Sequence, residues 1–70
     1  MELRELQCRR TNLVSLDVSS NTKLMSIYCI GNEYLKELDL LYNTELQELY
    51  CDQALVVKNA LSSLDIIRFE

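Results

Sequence analysis

Hydrophobic positions along this 70-residue chain come in short alternating bursts rather than long stripes. Leu6-Gln7-Cys8 runs apolar, polar, apolar, and Leu16-Asp17-Val18 does the same further on. Alternation with a period of two over so few residues predicts a short strand with one face buried. The bursts then recur. Leu3, Leu6, Cys8, Leu13, Leu16, Asp17 and Val18 return as Leu24, Ile27, Cys29, Leu35, Leu38, Asp39 and Leu40. They return once more as Leu46, Leu49, Cys51, Leu61, Leu64, Asp65 and Ile66. The period is about 21 to 22 residues, which is the spacing of a solenoid whose repeats each form one coil stacked on the next.

Three units follow, at about residues 3–23, 24–45 and 46–70, within a single domain spanning residues 1–70. The second carries one extra residue between Asn32 and Leu35, and the third carries about five extra in the Ala54–Lys58 region. Each unit is expected to contribute two short strands on opposite sides of the coil, giving two parallel ladders when coils stack. Asn21-Thr22 and Asn43-Thr44 fall just after the second strands, where an asparagine amide can hydrogen-bond the backbone of a tight bend. In the third unit, Ala54, Val57 and Leu61 have the spacing of a short amphipathic helix, with Asp52 as its N-cap. An extended detour through the valines fits that region equally well. The tail Ile66-Ile67-Arg68-Phe69 suits a terminal strand covered from outside.

The pattern Leu-x-x-Leu-x-Cys-x-x-Asn-x-Leu-x-x-Leu-Asp-Leu-x-x-Asn-Thr resembles bacterial leucine-rich repeats. It is most similar to their nested 21-residue variant, the IRREKO type, in which both halves of a repeat carry a strand. Leu3, Leu6, Cys8, Leu13, Leu16, Asp17, Val18 and Asn21 all match, as do their second-unit equivalents. The asparagine expected three residues after each cysteine is present as Asn32, but Thr11 and Ala54 stand there in the first and third units, with Asn59 a shifted candidate. The fold class expected is therefore the α/β leucine-rich-repeat class, mostly β: a right-handed solenoid of three coils with short parallel strands. The resemblance implies protein or ligand binding, usually within a longer secreted or cell-surface chain, and no catalysis.

Composition narrows the function classes. The 49% hydrophobic content suits a folded domain, but a chain this short buries only about 60% of its unfolded surface. About three repeats is the usual minimum for a solenoid, so this one stands at the threshold. Eleven acids against seven bases give a net charge of −4, and Arg9-Arg10 is the only basic pair, so no phosphate-neutralising stripe points to nucleic acid. No apolar run approaches a membrane span, and no signal peptide precedes the first repeat leucine. A fragment of a longer array is the expectation. Histidine is absent, Gly31 is the single glycine, and the serine pairs lack an activating base, so no enzyme is expected.

Three columns of residues carry whatever chemistry there is. Cys8, Cys29 and Cys51 occupy inward positions, about 4.8 Å apart on stacked strands. Parallel thiols do not converge on a tetrahedral metal, and an odd count argues against a disulfide framework, so they are expected in the core, with no cofactor. Asp17, Asp39 and Asp65 form a column facing solvent on the second strands. Backbone amides or the hydroxyls of Ser15, Ser19 and Ser63 would relieve their repulsion, with calcium as the alternative. Gln7, Tyr28 and Tyr50 are the solvent-facing centres of the first strands, with Glu5, Ser26 and Glu48 on one side and Arg9, Ile30 and Asp52 on the other. An amphipathic tyrosine patch of this kind is enriched at interfaces. The function expected is a protein-protein interaction module that uses this face for an unidentified protein partner. The alternative is a self-associating structural segment, a homodimer through the open solenoid ends.

Overall fold

In the computed structural model, which describes residues 3–69, six short strands follow one another: β1 (Glu5–Gln7), β2 (Ser26–Tyr28), β3 (Glu37–Asp39), β4 (Glu48–Asp52), β5 (Val56–Lys58) and β6 (Asp65–Phe69). β1, β2, β4 and β6 form one parallel sheet in that order, and β3 and β5 form a second. The molecule is a right-handed β-solenoid of about three turns, measuring 27 × 26 × 14 Å. No helix occurs among the described residues.

The alternating bursts become strands because their apolar members meet in the interior. Ile27, Leu49 and Leu38 point inward at 1% exposure or less, with Leu24, Cys29, Cys51, Leu35 and Leu40 packed around them. Each fully buried leucine contributes about 1.5–3 kcal/mol. The core is densest in the middle coil. Leu6, Leu13 and Leu16 at one end, and Leu64 and Ile66 at the other, are only partly buried because no further coil covers them within the described residues.

Turns between the strands are closed by asparagines. Asn32, almost fully buried, donates from Nδ2 to the carbonyls of Cys8 (2.7 Å) and Cys29 (3.1 Å). Its Oδ1 accepts the amides of Thr11 and Leu13, both at 3.0 Å. Thr11 makes the local bond of the missing asparagine itself, its hydroxyl donating to the Cys8 carbonyl at 2.9 Å. Asn43 is likewise buried and donates to the carbonyls of Val18 and Asn21.

One open alternative is decided and four expectations are corrected. Of the two readings of Ala54–Leu61, the extended one holds and the helix does not: Val56–Lys58 is strand β5, in register with β3 through Leu38 opposite Val57. Leu55, rather than Leu61, is the counterpart of Leu35, since each amide closes a turn onto the carbonyl three residues back. Asp65 is consequently not on a second strand. β6 has returned to the first sheet, with Glu48 opposite Asp65 and Leu49 opposite Ile66. The first-sheet register runs through residues 5, 26, 48 and 65, so the third coil is shortened to 17 residues instead of lengthened. Finally, Leu16–Val18 lies outside both sheets, so the first coil has one strand where two were expected.

Candidate interaction surface

The outward residues of the first sheet form three columns running across the strands. Glu5, Ser26, Glu48 and Asp65 share one register position, and Gln7, Tyr28, Tyr50 and Ile67 share the next. Asp52 and Phe69 pair in the third, which Ile30 continues from the end of β2. Six of the seven residues expected at the surface patch therefore share one face by register, and Ile30 follows two residues after β2. Asp65, Ile67 and Phe69 join them through the return of β6, which the repeat spacing did not reveal.

Aromatic rings stack along this face. Tyr28 and Tyr50 lie 4.7 Å apart at an interplanar angle of 9°, and Phe69 continues the stack 6.5 Å from Tyr50. Parallel register sets the spacing, since neighbouring strands lie about 4.8 Å apart and bring like residues ring over ring. Arg9 closes one end, its guanidinium 4.9 Å from the Tyr28 centroid, a cation–π contact. The tyrosines and the isoleucines are half-buried, whereas Phe69 is 44% exposed.

The acidic column beside the rings has few internal partners. Glu48 accepts a hydrogen bond from Ser26 Oγ at 3.3 Å and lies within 3.5 Å of the Tyr50 hydroxyl. The Tyr50 phenol is pushed above its ordinary pKa, first by desolvation and then by the Glu48 charge. The ion pairs among the described residues, Lys23–Glu45 and Lys58–Glu37, involve none of Glu5, Glu48 and Asp65. Asp52, by contrast, is already engaged by the backbone of the neighbouring coil. Its two carboxylate oxygens accept the amides of Gly31 (2.8 Å) and Asn32 (3.0 Å), a bend that Gly31 makes at φ +84°.

The cysteine column is buried and all three thiols are free. Cys8 and Cys29 donate to the carbonyls of Tyr28 and Tyr50 on the next coil. Burial pushes all three thiols up, Cys29 to about 12, where its neighbours Cys8, Cys51 and Asp52 add to the effect. These are poor nucleophiles.

Asp65 does not join Asp17 and Asp39 on the second side. Asp17 and Asp39 each cap a turn, accepting the amides of Ser19 and Leu41 at 3.0 Å, while Lys58, not Asp65, lies in register with Asp39. Asp39 also accepts Asn59 Nδ2 at 2.9 Å, the leading cause of its lowered pKa. For Asp17 it is the side-chain hydrogen bond with Ser19 that leads. A cleft of about 260 Å³ lies between these aspartates with Leu16, Leu41 and Tyr42 on its walls. No group of three or more Cys, Asp or Glu side chains is placed to hold a metal among the described residues. No described helix is long and apolar enough to cross a membrane.

Comparison of the chain with family models, with curated proteins and with solved structures finds no match.

Proposed function

We propose that this chain is a segment of leucine-rich-repeat type and serves as a protein-interaction module through the outer face of its four-stranded sheet. The observation that carries the reading is the continuous Tyr28–Tyr50–Phe69 ladder, flanked by Ile30 and Ile67 and bordered by carboxylates. Aromatic residues with a polar rim are what interfaces concentrate. Rings already stacked on one another lose little rotamer freedom when a partner covers them, which lowers the cost of binding.

Self-association through the solenoid ends is less well supported. At the β6 end the position that continues the inward cysteine column is Arg68, opposite Cys51. An inward-directed charge on an edge strand discourages pairing with another copy. A second copy stacked head to tail in the same register would also set its Glu5 beside Asp65, opposing like charges.

The test is selection of peptides from a randomised display library against the folded chain. Binding of the selected peptides is expected to fall for Tyr28→Ala/Tyr50→Ala while that variant keeps a cooperative melt. Peptides indifferent to the double variant would move the binding surface elsewhere, and parallel loss of binding and folding would reduce the tyrosines to packing.

A further inference from the structure

Building on that interaction surface, we infer that its partner is a cationic amphipathic helix laid across the four strands. Three features of the face lead there.

Backbone groups come first. A sheet offers hydrogen bonds at its edge, whereas its face presents only side chains. A segment lying on the face must therefore satisfy its own amides and carbonyls, which a helix does and an extended chain does not. Packing a helix on a sheet is also the common way such a face is covered.

Dimensions agree. Four strands about 4.8 Å apart span about 14 Å, which about ten helical residues match. Successive turns of that helix advance about 5.4 Å, close enough to the strand spacing for apolar residues at i, i+3/i+4 and i+7 to follow the aromatic ladder.

Charge then fixes the sign. Glu48 and Asp65 oppose each other on neighbouring strands, with Glu5 in the same column and no basic side chain in ion-pair contact with any of them among the described residues. Opposed like charges in a sheet are unfavourable, and lysines or arginines on one flank of the helix would relieve them. One end of the ladder is already supplied: Arg9 lies over the Tyr28 ring. The ladder thus accepts a guanidinium at the end where the chain itself provides one.

The peptides selected from the display library test this directly. The expected ladder-dependent peptides carry net positive charge and gain helical circular dichroism on binding. They weaken with salt and lose about five- to tenfold in affinity for Glu48→Gln/Asp65→Asn. That variant keeps the three rings and leaves position 48 an acceptor oxygen for Ser26 and Tyr50 while removing the charge, so with an unchanged melt it separates recognition from folding. Ladder-dependent peptides that are neutral, acidic or extended when bound overturn the helix inference and leave the interaction module standing. Failure to obtain any ladder-dependent peptide overturns both. If the chain alone forms a dimer that Tyr28→Ala/Tyr50→Ala abolishes, the occupant is a second copy and the inference also falls.

Discussion

Asn32 and Asn43 are both buried, yet their side chains do unequal work. Asn32 makes five hydrogen bonds, tying its own coil to Cys8, Thr11 and Leu13 of the one before. Asn43 uses its amide nitrogen, but its Oδ1, shielded from solvent, has no partner among the described residues. Removing Asn32 strands buried carbonyls and amides, each worth about 1–3 kcal/mol when left unpaired. Asn32→Ala is therefore expected to lose about 3 kcal/mol or to fail to fold, and Asn43→Ala about 1 kcal/mol, in urea unfolding. Equal losses would contradict the assigned bonds. The thiols give a pH signature. Their folded pKa values lie above the unfolded value of about 8.5, so the neutral-thiol stabilisation is complete below that pH and is lost as pH rises toward 12. The unfolding midpoint should fall above about pH 9, and Cys29→Ala should flatten the slope. The inward place of the cysteines was legible from alternation alone. The role of Thr11 was not, because a hydroxyl reaching back three residues leaves no mark in an apolar pattern.

The third coil shows where repeat reading fails. Both halves of this nested repeat read Leu-x-x-Leu, so Leu61-Ser62-Ser63-Leu64-Asp65-Ile66 fits either half on sequence. Chain length decides between them. Val56–Lys58 already supplies the second strand, with Val56 donating to the Lys36 carbonyl and Leu40 to that of Lys58. Leu64 then closes the turn that Leu24 and Leu46 close in the earlier coils. The helical spacing of Ala54, Val57 and Leu61 was outweighed by this ladder, and the adjacent β-branched Val56 and Val57 were the signal for a strand. Two outcomes follow. Leu55→Ala, at a position 4% exposed, should cost about 2–4 kcal/mol, whereas Leu61→Ala, 44% exposed, should cost less than about 1 kcal/mol. Denaturation curves for the pair decide between the two assignments. Far-ultraviolet circular dichroism of the free chain should show a β-type minimum, and a helical double minimum would contradict β5.

Over the whole molecule, the two ends of the three turns differ, and at each the apolar residues are only partly buried within the described residues. At the β6 end Arg68 stands in the cysteine column and donates to the carbonyls of Gln53 (3.2 Å) and Leu55 (2.7 Å). These flank Ala54, where the asparagine of the pattern is missing, so one side chain both serves that turn and charges the edge. Arg68→Leu removes the charge and leaves the two carbonyls without this donor. It is expected to associate more strongly than the parent in sedimentation equilibrium across a concentration series, and a variant that associates no more than the parent would remove the edge-blocking role. The solenoid and its two-sided ladders were evident in the leucine spacing. The completed face was not, because Asp65, Ile67 and Phe69 reach it only through a coil four to five residues shorter than its neighbours.

That return of β6 to the first sheet underlies both the aromatic ladder and the acidic column, and nuclear Overhauser contacts test it most directly. The account predicts cross-peaks from the Tyr50 ring to Phe69 and Ile67, whose neighbouring strand positions the register sets. Contacts from Ile66 to Leu40 with none between Tyr50 and Phe69 would put Asp65–Phe69 on the opposite sheet and contradict it.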